Sequence, residues 1–243
     1  MVDIKDSLEK RILILDGAMG TLIQSYGLNE QVFRGERFAG WTVSLSGNNE
    51  VLNLTAQEVV EDIHRRYIRA GADIITTNTF SANRISQHEY GCEELASEMA
   101  LEGARIARRI ADSHTSPIWV AGSMGPMSKS LSLASDMNQP ALRTVNYDEM
   151  SAAYGEQAAA LIEGGADLLL LETCFDALNT KAALDAIQQL NERLGRTIPV
   201  MVSATINDRS GRTLTGQTLE AFFVSISHYP SLSFGLNCSF GVT

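Results

Sequence analysis

Asn237 and Cys238 follow directly after an apolar run, among small and polar neighbours. A cysteine in such a setting can serve as a nucleophile or as a metal ligand. The other two cysteines, Cys92 and Cys174, lie in contexts typical of inert core residues. None of the four histidines stands at a strand end, and one thiol cannot supply the four ligands that zinc needs. The residues alone therefore leave both roles of Cys238 open.

Two acidic residues also end apolar runs. Asp16 precedes a glycine-rich turn, and Glu172 ends a run of four leucines. A carboxylate beside glycines, which let a ligand approach the backbone, is suited to binding an ammonium group. Two carboxylates at one site could hold that group jointly or act as acid and base. The structural alternatives are a helix cap for Asp16 and a buried ion pair for Glu172.

Smaller polar or flexible residues accompany these carboxylates. Gly17 adjoins Asp16, while Thr77 and Asn237 end two further apolar runs. Threonine and asparagine at strand ends can orient a ligand by hydrogen bonding. They equally often satisfy the backbone of a neighbouring loop. The sequence does not decide between these two uses.

Six apolar, strand-length runs would position these residues. Each is too continuous for a half-exposed antiparallel strand, which predicts burial on both faces and hence parallel strands. Helical patterns separate the runs, and two similar Gly-Ala-Asp junctions, at 71–73 and 165–167, lead from a helix into a strand. The runs are Ile12–Leu15, Ile74–Thr77, Ile118–Ala121, Leu168–Leu171, Val200–Ala204 and Leu232–Leu236.

Repeated βα units predict an α/β fold of the (β/α)8 TIM-barrel type, with residues 1–243 as one domain. An open doubly wound sheet shares this pattern, but no glycine-rich nucleotide-binding motif follows any run. Thr55 and Glu58 have the spacing of a capping box for a helix. Long segments at 26–54 and 125–147 are predicted to lie on the face where barrel active sites form.

Composition narrows the classes of function. The chain has 243 residues, 44% of them hydrophobic, and a formal net charge of −10. An acidic chain without basic runs is a poor candidate for binding nucleic acid or an acidic membrane. The sequence shows neither a secretory leader nor an apolar run long enough to span a bilayer. Three cysteines without CxxC spacing favour a reducing, cytoplasmic location.

Several motifs together resemble the homocysteine-binding module of homocysteine methyltransferases. A further group is similar to this module in cobalamin-dependent methionine synthases, rather than in their betaine-using relatives. The likeness runs from about Arg11 to Gly241. The first group comprises Asp16–Thr21, Thr77–Phe80, Glu172–Thr173 and Gly235–Ser239, and the second comprises Phe33–Phe38, Gly47–Asn49 and Gly211–Gly216.

The resemblance implies a (β/α)8 barrel whose zinc ion is held by three cysteines. Cys238 corresponds to the one after strand six. The other two form a Gly-Gly-Cys-Cys motif near the last strand, which this sequence does not contain. We therefore expect a barrel that lacks its last strands, a C-terminally incomplete domain, and a chain that is inactive alone.

The chemistry implied by the resemblance is methyl transfer to homocysteine. Zinc lowers the pKa of the homocysteine thiol and so creates a thiolate nucleophile. The methyl group would come from methylcobalamin, and originally from 5-methyltetrahydrofolate. Asp16 and Glu172 would hold the ammonium group, and Gly17 with Thr77 or Asn237 would position substrate or zinc. Cobalamin, folate and activation modules of a parent chain are the implied partners.

Three other functions remain open at this stage. The chain could belong to a betaine- or S-methylmethionine-type homocysteine methyltransferase. It could instead be a non-catalytic fragment that binds an amino acid. The third is a barrel lyase or aldolase that uses carboxylate acid/base chemistry. A Schiff-base lysine at a strand end would support it, but the interior candidates, Lys129 and Lys181, do not lie in a predicted strand.

Overall fold

A parallel sheet of five strands forms the centre of the computed structural model, which describes residues 3–134, 136, 138–206 and 208–239. Strands that follow one another in the chain are also neighbours in the sheet, and every pair is parallel. Each connection is therefore a βα crossover. The strands are β1 Ile74–Thr76, β2 Trp119–Met124, β3 Leu168–Cys174, β4 Val200–Ala204 and β5 Ser233–Leu236.

Helices occupy the connections between strands. The four longest helices, at 57–70, 96–112, 147–163 and 177–194, pack side by side along one face of the sheet. Short 3-10 turns lie at Asn49–Val51, His88–Tyr90 and Glu93–Leu95. The helices are α1 Ile4–Leu8, α2 Met19–Ser25, α3 Glu30–Arg34, α4 Leu52–Thr55, α5 Gln57–Ala70, α6 Arg84–Gln87, α7 Ala96–Asp112, α8 Tyr147–Glu163, α9 Ala177–Leu194 and α10 Leu219–Ile226.

Both faces of the central strands are buried, which explains the continuous apolar runs. Leu169 and Leu171 of β3 join the large cluster under the helices. Leu168 and Leu170 point to the opposite face, where a smaller cluster includes Ile4 of α1. Alternate side chains of one strand thus serve two separate clusters. This matches the prediction of parallel strands buried on both sides.

Five of the six predicted strands are confirmed, and the first is wrong in part. Segment 12–15 runs alongside β1, where Ile14 O accepts hydrogen bonds from Asp73 N and Ile74 N (2.8 and 3.1 Å), but only Leu15 forms a bridge. Ile12 is 88% exposed and Ile14 57% exposed. The predicted burial fails because this segment lies at an edge of the described sheet. Leu236 of β5, at the other edge, is exposed for the same reason.

The two edges do not pair with each other within the described part of the chain. Closure into an eight-stranded barrel therefore stays a prediction, as does the single domain spanning 1–243. None of the described helices has the length and apolar character needed to cross a bilayer.

Two of the described helices end or begin at a residue that commonly caps helices. Gly195 ends α9 in the left-handed conformation (φ 63°), and the Thr218 side chain accepts a hydrogen bond from Ala221 N at the start of α10. The capping box at Thr55 is wrong. The Thr55 hydroxyl instead donates to Val51 O within α4, and α5 begins without a side-chain cap.

His64 of α5 is fully buried, and neither ring nitrogen has a hydrogen-bond partner. Burial lowers its pKa from 6.5 to about 4. The unfolded chain takes up a proton near pH 6.5, whereas the folded protein does so only near pH 4. Above pH 6.5 the neutral His64 does not lower the free energy of unfolding. As the pH drops from 6.5 towards 4, the free energy of unfolding falls by about 1.4 kcal/mol per pH unit.

We expect His64→Leu to remove this acid sensitivity. Urea unfolding of the wild type and the variant should show a stability difference that shifts by about 2–3 kcal/mol in favour of the variant between pH 7 and pH 4.5. Other titrating groups are common to both proteins and cancel in the difference. A stability difference that is the same at both pH values would contradict this account of His64.

Candidate active site

A cleft of about 550 Å³ opens at the carboxyl ends of the strands. In parallel α/β folds this end of the sheet is where active sites form. All the site residues predicted from sequence line this one cleft, although their roles remain predictions. They are Asp16, Gly17, Thr77, Glu172, Asn237 and Cys238.

A larger groove of about 900 Å³ lies elsewhere, between α8 and α9. It is lined by small residues such as Ala152 and Gly155 and by several acidic residues. It contains none of the strand-end residues, so we assign the chemistry to the cleft.

Asp16 follows the edge segment and turns its carboxylate towards β1. One oxygen accepts a hydrogen bond from Thr76 N (2.8 Å) and the other from Thr76 Oγ1 (3.0 Å). Burial raises its pKa to about 7, the charge of Glu172 adds to this rise, and the Thr76 hydrogen bonds oppose it. The alternative of a helix cap is wrong, because Ala18 occupies the N-cap position of α2.

Glu172 enters the cleft from a β-bulge. The pairing of β3 with β4 shifts register between Leu171 and Cys174, and such a bulge re-aims the side chains within it. Ser123 Oγ donates to Glu172 Oε1 at 2.5 Å. Burial raises the pKa of Glu172, against the lowering effect of the Ser123 hydrogen bond.

Neither carboxylate has a basic partner within the described residues. Every ion pair found there joins other groups. The alternative of a structural ion pair at Glu172 therefore finds no support in the described chain. A buried carboxylate without a cation favours either a bound proton or a cationic ligand.

The Thr77 hydroxyl is engaged within the protein. It accepts a hydrogen bond from Ser123 N (2.9 Å) and lies 2.5 Å from Thr79 Oγ1. Thr79 Oγ1 donates onward to Ser123 O (2.7 Å), so the hydrogen between the two threonines comes from Thr77. Thr77 lines the cleft, and its hydroxyl is used in hydrogen bonds to the backbone of β2 and to Thr79.

Gly17 lines the cleft, and packing against Tyr67 favours a glycine at this position. A Cβ atom on Gly17 would lie 2.9 Å from Tyr67 Oη, closer than such contacts occur in proteins. Tyr67 Oη in turn donates to Ala18 O at 3.1 Å. The glycine lets the turn after Asp16 lie flat against this tyrosine.

Asn237 and Cys238 follow β5 at the wall of the cleft. Cys238 is the exposed cysteine of the three, and its Sγ lies 3.6 Å from Asn237 Nδ2. Burial raises the pKa of the Cys92 thiol to about 11 and that of Cys174 to about 12, which makes both unreactive. Cys238 is therefore the thiol available for chemistry.

Sequence reasoning missed Glu50. This residue is 6% exposed and lines the cleft, and its Oε1 accepts a hydrogen bond from Ser81 N at 2.8 Å. Burial raises its pKa, and no described Lys, Arg or His is paired with it. Its position directly after Gly47–Asn49, within the first long segment, was the available signal.

The two long segments differ in their relation to the cleft. Segment 26–54 contributes Gly47, Asn49 and Glu50, as predicted. None of the described residues of 125–147 lines it. That segment packs on the start of α9, where Asp176 accepts hydrogen bonds from Ser130 and Ser132. Because the start of α9 follows the carboxyl end of β3, this segment lies on the predicted face of the sheet, but outside the lining of the cleft.

The lysines of the aldolase alternative also lie away from the cleft. Lys181 borders a separate depression beside α9, and Lys129 is absent from the cleft lining. With Met19, Phe80 and Leu170 as apolar wall, the cleft combines three carboxylates with a hydrophobic surface. It suits a small ligand with a cationic group and an apolar stem.

Among the described residues that line the cleft, Cys238 is the one cysteine that could bind zinc. No group of three or more His, Cys, Asp or Glu side chains there could hold a metal ion. Two hydrogen-bond donors lie beside Cys238 Sγ. They are Asn237 Nδ2 at 3.6 Å and Thr173 Oγ1 at 4.0 Å. The described residues thus do not form a zinc centre by themselves.

The chain is similar to known proteins both in sequence and in fold. The model of the homocysteine S-methyltransferase family matches residues 13–243. The oxidized form of the homocysteine methyltransferase MmuM from Escherichia coli aligns with a TM-score of 0.73 and 22% identity, over 97% of this chain and 76% of that chain. The metallated form aligns with a TM-score of 0.72 and 22% identity, over 97% and 77%. These structures share the fold.

Proposed function

The chain belongs to the homocysteine S-methyltransferase family, and we propose that its cleft binds homocysteine and presents the thiol for methylation. The observation that carries this proposal is the meeting of Asp16, Glu172 and Cys238 in one cleft. These residues are far apart in the chain, and within the described residues neither carboxylate is neutralised by a basic side chain.

In this proposal Asp16 and Glu172 hold the ammonium group of homocysteine. An ammonium ion offers three donors, and hydrogen bonds between ionised groups are about twice as strong as neutral ones. Both carboxylates keep acceptor capacity beyond the hydrogen bonds that Asp16 accepts from Thr76 and that Glu172 accepts from Ser123 and Asn237. The apolar wall would contact the methylene groups of the ligand.

The proposed role of Cys238 is to supply one sulfur ligand to zinc beside the substrate thiol. When bound, zinc lowers the pKa of a coordinated thiol and so favours the thiolate. The metallated form of MmuM supports a metal in this type of protein. The described residues of the cleft supply this one sulfur ligand.

The proposed methyl donor is methylcobalamin, charged originally from 5-methyltetrahydrofolate, with cobalamin and folate bound by other modules. The motifs at Phe33–Phe38, Gly47–Asn49 and Gly211–Gly216 support this donor by their likeness to methionine synthases. In the transfer, the homocysteine sulfur forms a bond to the methyl carbon. The bond from that carbon to the donor would break with its electron pair left on the donor, and the thiol proton would pass to solvent.

Calorimetric titration with homocysteine and two analogues tests the proposal. Homoserine keeps the ammonium group but lacks the sulfur, whereas 4-mercaptobutyrate keeps the sulfur but lacks the ammonium group. We expect homocysteine to bind most tightly and 4-mercaptobutyrate to bind at least tenfold more weakly. Equal affinity for homocysteine and 4-mercaptobutyrate would overturn the assignment of the carboxylates.

Binding should also release a proton from Asp16. Its pKa near 7, raised chiefly by burial, leaves part of the protein protonated at neutral pH. A bound ammonium group favours the ionised form and lowers that pKa. Homoserine should therefore bind more tightly as the pH rises through 7. At pH 7 its binding enthalpy should differ between phosphate and Tris, in proportion to the protons released.

Homoserine is the ligand for this measurement because it has no thiol that could release a proton of its own. The variant Asp16→Asn provides the control, since its amide cannot titrate. A binding enthalpy that is identical in both buffers for the wild type would show that Asp16 does not change its protonation on binding.

A further inference from the structure

Two residues at the cleft have an unusual backbone. Thr173 (φ 58°) and Cys238 (φ 49°) are the non-glycine residues with positive φ in the described part of the chain. A β-branched residue such as threonine rarely adopts this conformation. Strained backbone of this kind persists only where surrounding contacts fix it, and it concentrates at functional sites.

Thr173 lies in the β-bulge of β3, directly after Glu172. The left-handed turn directs its backbone N–H to Asn237 Oδ1 at 2.9 Å. Its hydroxyl oxygen accepts a hydrogen bond from Asn237 Nδ2 at 2.8 Å. One residue thus binds both ends of the Asn237 amide.

The Asn237 amide is also held from β4. Ser203 Oγ donates to Asn237 Oδ1 at 2.8 Å. The residue after Asn237 is held in a similar way, because Thr205 Oγ1 donates to Cys238 O at 3.0 Å. The amide therefore joins the ends of three strands at the point where the chain turns into Cys238.

The sulfur of Cys238 lies beside this arrangement. Its distance to Asn237 Nδ2 is 3.6 Å and to Thr173 Oγ1 is 4.0 Å. Two consecutive constraints, the Asn237 amide and the positive φ of Cys238, fix the backbone from which the sulfur projects.

We propose that Thr173 is a positioning residue that, through the side chain of Asn237, fixes the Cys238 thiol at the wall of the cleft. The inference rests on the proposed function, which gives Cys238 its role beside the substrate. Glu172 and Thr173, which lie in the same bulge, then have different roles. Glu172 faces the ligand, and Thr173 holds the residue that places the sulfur.

The test measures the rate at which iodoacetamide alkylates Cys238 in the presence of a chelator. Mass spectrometry of the peptide that contains Cys238 follows the reaction. Thr173→Val keeps the β-branched shape but removes the hydroxyl acceptor of Asn237. We expect alkylation to accelerate threefold or more, because the sulfur is no longer held against the cleft wall. Thr173→Ser keeps the hydroxyl and should restore a rate within twofold of the wild type.

Two further variants complete the test. Ser203→Ala loosens the same amide from β4 and should also accelerate alkylation threefold or more, even if Thr173→Val folds poorly. Thr215→Val is the matched control, because it removes a hydroxyl that donates to Phe175 O (2.8 Å), and its rate should stay within twofold. Urea midpoints check that the variants remain folded.

Less than threefold acceleration, or slower alkylation, in the folded Thr173→Val and Ser203→Ala variants would overturn the inference. Failure of Thr173→Ser to restore the rate would do the same. The assay contains no homocysteine, so its result is independent of ligand binding. Calorimetry on the wild type shows separately whether the proposed function fails.

Discussion

Cys238→Ala is expected to lower the rate of methyl transfer to homocysteine by about 10²–10³-fold, the loss typical of removing one electrostatic stabiliser from an active site. Cys238 is the exposed thiol at the wall of the cleft, whereas Cys92 and Cys174 are buried. The substrate sulfur would lose the group that favours its thiolate form. The measurement is methionine formation from methylcobalamin and homocysteine by a protein that joins this chain to its proposed partner modules, because this chain is expected to be inactive alone.

The matched control for this prediction is Cys92→Ala. It removes a thiol that is 1% exposed and has a raised pKa, so it should affect stability but not the rate per folded molecule. Methylation of cobalamin by methyltetrahydrofolate, where that half-reaction is present, should be unchanged in Cys238→Ala. Equal loss of both half-reactions would indicate that Cys238 is structural.

Glu172→Gln is expected to weaken homocysteine binding by about 1.5–3 kcal/mol, the contribution of a hydrogen bond to a charged group. Glutamine keeps an acceptor for Ser123 Oγ, so the variant removes the charge with little change of shape. The dissociation constant should rise about 10- to 150-fold. Titration calorimetry measures it directly.

Affinity for 4-mercaptobutyrate should not change in Glu172→Gln, since that ligand has no ammonium group. Glu156→Gln serves as the matched control. Glu156 lies on α8 in an ion pair with Arg84 (2.8 Å), outside the cleft. An unchanged dissociation constant for homocysteine in Glu172→Gln would remove this residue from the proposed site.

The sequence predicted the place of the main carboxylates because parallel strands fix the direction of the chain. Asp16 and Glu172 each follow an apolar run, and the carboxyl ends of parallel strands lie at the same end of the sheet. Their meeting in one cleft therefore follows from the strand pattern alone. The lack of a basic partner among the described residues could not be predicted, because the sequence does not tell which arginines lie near the two carboxylates.

Other features depend on contacts that local patterns do not encode. The run Ile12–Leu15 has the composition of a buried strand, but burial depends on what lies across the sheet, and Ile12 and Ile14 are exposed at an edge. Thr55 and Glu58 have capping-box spacing, yet the Thr55 hydroxyl binds Val51 O in a preceding helix.

Glu50 and Thr173 show the same limit within the site. Glu50 reaches the cleft from a long segment whose path is set by tertiary contacts such as the hydrogen bond from Ser81 N. The role of Thr173 arises from a bulge in β3 and from Asn237, 64 residues further along the chain. Bulges and left-handed backbone leave no periodic signal when the residue is not glycine.

A crystal structure of the protein with bound homocysteine tests the central claim most directly. We expect the ammonium nitrogen to lie about 3 Å from a carboxylate oxygen of both Asp16 and Glu172, with the ligand sulfur directed towards Cys238. Homocysteine bound outside this cleft, or bound within it with its ammonium group turned away from both carboxylates, would contradict the account.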